Sequence, residues 1–398
     1  MATEDHDFDE INFFNFKGEK LQWNHDASGG VGRLQTDGLE EVFETFANVL
    51  GVSKNALELK KLFKKAYLEH NNLTDATRFL ANELFGEYGL VIVDGDDKEL
   101  KKFLIPYAKE DLIKNTAFTE VSKTIDTLSE VSDNYKIQVN PREINYFYLV
   151  DGIRERIIKA DEKFKVNNTD IEFSEQEILK ELKEFPERFS PNVIARPLYQ
   201  EVILPNLCYI GGGGELAYWL ELKSFFNSQN VTFPMLLLRN SVLVITEKQS
   251  EKIKKLDLSV KDLFLKQNTL VNKKIREISN INIDFSEQKN HLENQFAEMH
   301  KLAKQTDKSF LGAVKAQEIK QLKGLDALEK RLLQAQKRKL KDHVERLVEL
   351  QNAIFPNQSL QERNTNFADL YLEYGEELII ALKKNLNPLL PEFTTLTF

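Results

Sequence analysis

Apolar residues near the start of the chain recur at helical spacing. Leu39, Val42, Phe43, Phe46 and Val49-Leu50 repeat at three and four residues, and Leu57, Leu59, Leu62-Phe63 and Tyr67 follow more loosely. Thr74 or Asp75 is placed to cap a helix through Thr77, Leu80, Leu84 and Phe85, with Gly86 at its end. The pattern then changes. Tyr88-Gly-Leu-Val-Ile-Val93, closed by Asp94-Gly-Asp-Asp97, predicts a strand buried on both faces, as in a parallel sheet. Asp97 can cap a helix from Lys98 to about Lys114, kinked at Pro106, and Thr116–Val131 is a further amphipathic helix. Asn145–Val150, Val231–Leu238 and Val242–Ile245 predict more strand. Strands alternating with helices imply α/β layering, with loops at the strand ends.

After Glu247 glycine, proline and β-branched residues thin out, and Lys, Glu, Gln and Leu dominate. Leu292, Phe296, Met299, Ala303, Thr306, Phe310 and Ala313 alternate by four and three, the seam of a coiled coil. Leu325, Leu328, Leu332 and Ala335 continue it after one slip, and Leu340, Val344, Leu347 and Gln351 after another. Gln305–Ser309 is the expected reversal, and Ser309–Ile354 as one helix would span ~70 Å. Pro356 ends that helix, Glu376–Asn385 predicts one more, and the apolar tail Pro388–Phe398 is expected to return to a core. The expected organisation is residues 1–246 as an α/β core with helical insertions, 247–354 as a helical coiled coil, and 355–398 as a segment returning to the core.

Composition narrows the classes. The 398 residues include 27 Phe and 11 Tyr, too much apolar area for a disordered chain. One cysteine, Cys208, forbids an internal disulfide and a cysteine-based zinc site, and its apolar setting predicts a buried, inert thiol. A net charge of -9 disfavours nucleic acid and anionic lipid as partners. The basic run Lys330-Arg331 and Lys337–Lys341 reads as a solvated helix face. With no apolar run of ~18 residues and an acidic start, neither a membrane span nor a signal peptide is expected, and a cytoplasmic location is.

Phosphate-loop, zinc-protease, serine-hydrolase and paired-cysteine motifs are absent. Three stretches stand out. Glu4-Asp-His-Asp7 puts carboxylates beside His6, either a metal or acid/base site or a solvated acidic terminus. Ser190-Pro-Asn-Val-Ile-Ala-Arg-Pro-Leu-Tyr-Gln-Glu201 leads to Leu204–Trp219, where Gly211–Gly214 precede a helix. Such glycines allow close backbone approach, the helix start offers N–H donors, and Arg196 can clamp a carboxylate or phosphate. Glu215 could deprotonate a substrate amine or simply cap the helix. The third, Phe355-Pro-Asn-Gln-Ser-Leu-Gln-Glu-Arg363, directly follows the long helix.

These stretches, together with Met1–Phe8 and Asn82–Asp96, closely resemble the BshC family, the cysteine ligases proposed for bacillithiol biosynthesis. The resemblance covers the whole chain, though Gly213 stands where the family often has proline. It implies a Rossmann-like core with helical connecting insertions and a protruding coiled coil that forms a homodimer. The implied activity joins the carboxyl of L-cysteine to the amine of glucosaminyl-malate. Carboxyl activation in water makes ATP or ADP the candidate cosubstrate, which the sequence leaves open. His6 and Glu215 are the expected catalytic residues. Asp5, Asp7, Arg196, Gln200, Glu201 and Tyr218 bind substrate. Gly211, Gly212, Gly214, Asn357 and Arg363 meet the nucleotide, and no metal is implied. In the family Met1–Phe8 corresponds to an internal motif, so the chain is expected to be incomplete at its N-terminus and to have little activity alone. A non-catalytic coiled-coil scaffold with a degenerate ligand-binding α/β domain is the rival reading.

Overall fold

The computed structural model describes residues 8–25, 27–132 and 135–398. The chain divides into two compact units. The first runs to Ser241 and takes in Thr365–Glu392, and the second comprises Val242–Asn364 and Phe393–Phe398.

The first unit opens with an antiparallel hairpin, β1 (Phe13–Phe16) and β2 (Glu19–Gln22), in register Phe14↔Leu21. The turn uses Lys17 and Gly18, both at positive φ. Phe16 and Leu21 are buried, and the rings of Phe14 and Phe16 meet Phe46 edge-on at 5.4 and 5.0 Å. Phe46 belongs to α1 (Leu39–Leu50), followed by α2 (Lys54–Tyr67) and α3 (Leu73–Phe85). The cap of α3 is Asn72 rather than Thr74 or Asp75: extended there, it accepts the Asp75 N–H at 2.8 Å.

The predicted strand Tyr88–Val93 does not form. After a 3-10 turn at Gly86–Tyr88 the chain runs without a strand partner, and Val91 is 76% exposed. Apolar composition cannot replace a neighbour whose backbone completes the ladder. Asp97 does cap the next helix, accepting from Glu99 and Leu100 N–H groups. That helix is broken rather than kinked: Lys98–Lys101, a 3-10 turn, then α4 (Ile105–Lys114), with Pro106 in its first turn. The next helix, α5 (Thr116–Val131), has the predicted limits.

The main sheet has the order β6-β5-β4-β3-β7 and is antiparallel throughout, formed by β3 (Tyr146–Val150), β4 (Ile153–Ala160), β5 (Lys163–Val166), β6 (Glu172–Phe173) and β7 (Phe189–Pro191). Its core joins Tyr146, Tyr148, Ile157 and Phe164 to Leu104 and Leu112 of the preceding helices and to Ile178 and Leu182 of α6 (Glu175–Glu184). The chain continues through α7 (Ala195–Ile203), β8 (Cys208–Gly211), α8 (Gly213–Glu221), α9 (Lys223–Ser228) and β9 (Met235–Leu238). Strands β8 and β9 pair in parallel, Cys208↔Met235 to Gly211↔Leu238, making a strand–helix–strand unit. Trp219, Leu222, Phe225 and Phe226 pack its helices on Ala117 and Val121 of α5. Fully buried Glu221 ties down the chain after α5, accepting from Gln138 N–H at 2.8 Å and Tyr135 Oη at 3.1 Å.

The second unit begins at β10 (Ser241–Ile245), which pairs with β11 (Phe393–Thr397). The amide of Gln361 serves as a strand neighbour to Val244, accepting its N–H at 2.9 Å and donating to its carbonyl at 3.0 Å. After α10 (Gln267–Ile278) come α11 (Ser286–Ala303) and α12 (Lys308–Lys339), a hairpin that reverses where predicted. Gly324 is accommodated inside α12, but the expected single helix to Ile354 breaks at Leu340 (φ -103, ψ 32). The break lets α13 (Lys341–Ile354) seat Leu347 in a core with Leu270, Val271 and Ile275. The apolar seam also differs from expectation. Phe296, Ala303 and Val314 form a buried cluster within the hairpin, while Met299 and Phe310 are exposed. Asp307 caps α12 through Ser309 and Phe310 N–H, so the reversal resets the helical phase. The first unit resumes with α14 (Phe367–Tyr374) and α15 (Glu376–Asn385), where the Lys17 N–H donates to Asp369 at 3.0 Å and Asn55 donates to the Leu372 carbonyl at 3.1 Å.

Candidate functional site

Asn192 sets the start of α7. Its Oδ1 accepts the N–H groups of Ile194 and Ala195 at 2.9 and 3.2 Å, and its Nδ2 donates to Asn145 at 3.1 Å. This fixes half-buried Arg196, whose backbone N–H bonds Asn192 O at 2.8 Å. One turn on, the buried Tyr199 hydroxyl donates to the Gly95 carbonyl at 2.8 Å. Glu201 turns inward to Asn206, accepting its N–H at 2.9 Å and its Nδ2 at 3.0 Å, and burial raises its pKa. Gln200, beside it, also bonds that carboxylate.

At the end of β8 the glycines differ in role. A Cβ on Gly211 would lie 2.7 Å from the Tyr209 ring and 3.3 Å from Glu215 Cβ, so the position requires glycine. Gly212 N–H donates to Glu215 Oε2 at 2.6 Å, so Glu215 caps α8. Gly213 and Gly214 face open space, and their N–H groups belong to the first turn, which has no intrahelical acceptors. The Tyr209 ring stacks on Trp219 at 3.9 Å between centroids, and its hydroxyl donates to Glu215 Oε1 at 3.5 Å. Burial raises the Tyr209 pKa first, Tyr218 and Glu215 add to it, and Arg196 opposes them. Arg196, Tyr209, Glu215 and Tyr218 therefore share one electrostatic neighbourhood. Tyr209 was missed in the sequence, although its place two residues before Gly211 gives it the same face of the strand. Cys208 is half-buried rather than buried.

A second polar cluster lies in the same unit. Arg33 grips Asp96 with Nε at 2.5 Å and Nη2 at 3.0 Å, and Lys101, with no exposed surface, stands 3.5 Å from Asp96 and donates to the Phe189 carbonyl at 2.8 Å. Nothing in the periodicity singles out these residues.

Asn357 and Arg363 belong to the second unit. Asn357 adopts φ 55 directly after Pro356, and its Nδ2 donates to Asn364 at 3.1 Å. Arg363 is exposed on the short helix Gln361–Asn364. Asp5, His6 and Asp7 lie outside the described residues. Among the described residues no group of three metal-ligating side chains converges, and no helix is long and apolar enough to cross a membrane.

Two family models match the chain in succession. Residues 1–240 match the model described as bacillithiol biosynthesis BshC, N-terminal Rossmann-like domain, and residues 242–398 match that of the C-terminal coiled-coil domain. The chain belongs to the BshC family. A relative in Christiangramia forsetii, carrying the name "Putative cysteine ligase BshC", is 61% identical across all of this chain and 74% of its own length. A BshC protein of Flavobacterium johnsoniae is 60% identical with the same coverage, and one of Salinibacter ruber 29% identical over 96% of this chain. The fold is accordingly mixed α/β, a Rossmann-like N-terminal domain followed by a coiled-coil domain, as the resemblance implied.

Proposed function

We propose that this BshC-family chain takes part in bacillithiol formation as a carbon–nitrogen ligase, joining L-cysteine to the amine of glucosaminyl-malate in the cytoplasm. The observation that carries the reading is the gathering of Arg196, Tyr209, Glu215 and Tyr218 beside the open first turn of α8. Arg196 suits an anionic group, the malate of the acceptor or a phosphate. Glu215 suits the amine, which must be neutral to attack and must then lose a proton as the C–N bond forms and the activated C–O bond breaks. Tyr209 donates a hydrogen bond to the Glu215 carboxylate, and Tyr218 lies in the same electrostatic neighbourhood.

A nucleotide, when bound, supplies carboxyl activation. The donor set of the first unit suits one: Gly213 and Gly214 place first-turn N–H groups at a helix start. His6, with Asp5 and Asp7 as its neighbours in the sequence, would polarise the activated carboxyl or stabilise a phosphate-bearing transition state.

The test is complementation of a deletion strain, with thiols profiled by mass spectrometry. The wild-type gene should restore bacillithiol, and Arg196→Ala should restore at most a tenth as much at equal protein level while glucosaminyl-malate accumulates. Full restoration by Arg196→Ala would reject the assigned site. No change in either metabolite on deletion would favour the rival scaffold reading.

We also propose homodimerisation through α11 and α12. Leu302, Phe310, Ile319 and Leu328 are exposed large apolar side chains on this hairpin, an area a second copy would cover.

A further inference from the structure

The cluster around Asp96 takes no part in the chemistry proposed above, yet it holds an ammonium group with no exposed surface, that of Lys101. Such a group is costly to bury, and a carboxylate partner offsets the cost only in part. Asp96 does not require this amine, since Arg33 already meets it through two nitrogens. What Lys101 adds is a directed bond, from Nζ to the Phe189 carbonyl at 2.8 Å. Two residues earlier, Arg33 Nη2 donates to the Glu187 carbonyl at 2.7 Å. Both cations therefore hold backbone at the entry to β7.

Beyond β7 the chain turns through Asn192 into α7, so Phe189 and Tyr199 flank one corner. Both are tied to the same loop. Tyr199, also without exposed surface, donates its hydroxyl to the Gly95 carbonyl at 2.8 Å, and Lys101 Nζ lies 5.9 Å from the centre of its ring. Within the loop Asp94 Oδ1 accepts the Asp96 N–H at 2.9 Å, and Asp97 caps the short helix that carries Lys101. Residues 94–101 thus grip the corner on its strand side and on its helix side. Arg196 leaves the first turn of α7, and Tyr199, three residues on, is its neighbour on the helix surface. The Asn192 cap fixes where α7 begins, whereas a second tether at Tyr199 fixes its rotation about its own axis. We propose that Lys101 and Tyr199 are positioning residues that act through Arg196, setting the direction in which its guanidinium meets the anionic group of the acceptor. This rests on the reading of Arg196 given above.

The test is calorimetric titration of glucosaminyl-malate into the whole chain. Tyr199→Phe, which removes one hydroxyl, should weaken binding about fivefold. Lys101→Met, which leaves Arg33 on Asp96, should weaken it by a similar factor. Tyr199→Phe keeps the test valid if Lys101→Met fails to fold. The deciding comparison is a double-mutant cycle: in an Arg196→Ala background Tyr199→Phe should cause no further loss, because its effect passes through the missing guanidinium. A merely structural role would give the same fivefold loss in both backgrounds, and that result, or unchanged affinity in Tyr199→Phe, would overturn the proposal. If the wild-type chain itself does not bind glucosaminyl-malate, the ligase reading falls. The positioning role is then judged from the Nε–H NMR signal of Arg196, identified by its loss in Arg196→Lys. That signal should move in Lys101→Met and in Tyr199→Phe, and an unmoved signal would overturn the proposal by itself.

Discussion

Asp111 shows how one carboxylate can organise a junction at a cost. Its Oδ1 accepts the Ala117 N–H at 3.0 Å, at the start of α5, and its Oδ2 accepts the Asn145 N–H at 2.7 Å, before β3. With 1% exposure, burial pushes its pKa up to about 6 despite those bonds. A folded-state value above the unfolded one means that the native state holds the proton more tightly. The associated stability is fully present below the ordinary aspartate value of 3.8 and is lost as pH rises through about 6. The difference corresponds to ~3 kcal/mol. Asp111→Asn keeps one acceptor and carries no charge. It should be less stable at every pH, but its stability should fall less between pH 4 and pH 7 than that of the wild type. Urea midpoints at the two pH values check this, and equal slopes in the two proteins would refute it.

At the level of the element, caps and phase breaks decide where helices lie. Asn72 rather than Thr74 or Asp75 starts α3, because only a residue still in extended backbone can aim its side chain at the N–H groups of the first turn. Asn72→Ala should cost about 1 kcal/mol of stability, read as a lowered thermal midpoint, whereas Thr77→Ala on the exposed face of α3 should change little. The break at Leu340 has a sharper consequence. It turns Leu347 into the core of the second unit, 2% exposed, while Leu328 on α12 stays 52% exposed. Leu347→Asp should therefore unfold that unit, the expected result of an unpaired charge in an apolar core. Leu328→Asp should leave thermal stability nearly unchanged. A circular-dichroism melt distinguishes the two.

For the whole molecule, the same pair of positions tests assembly. If copies associate through α11 and α12, Leu328→Asp and Phe310→Asp should convert a dimer to a monomer in light scattering while the helical spectrum is kept. A dimer unaffected by both would place the interface elsewhere. The two domain models of the BshC family meet at residues 240 and 242, close to the first boundary between the compact units, whereas Thr365–Glu392, inside the coiled-coil model, groups with the first unit. The cores differ: the first unit draws its core from sheet and helix packing around Tyr146, Phe164 and Trp219, and the second from Leu, Ile and Phe on its helices and on β10.

Short-range interactions are what the sequence determined by itself. Helical periodicity placed Thr116–Val131 and Glu376–Asn385, Asp97 declared its cap, and the coiled-coil hairpin showed its reversal near Asp307, because each depends on residues within four positions of one another. The glycine stretch and Arg196 were legible as a candidate site for the same reason, since a close backbone approach and a helix start are local features. Partner choice belonged to the tertiary structure. Tyr88–Val93 has strand composition but no strand, since a ladder needs a neighbour that composition cannot name. Arg33 meets Asp96 across 63 residues, and Gln361 pairs with Val244 across 117. The seam of α12 shifted from Phe310 to Val314 because a cap at Asp307 restarted the helical phase. Contacts of this kind form between segments whose separation in the chain carries no periodic signal, so only the folded chain brings them together.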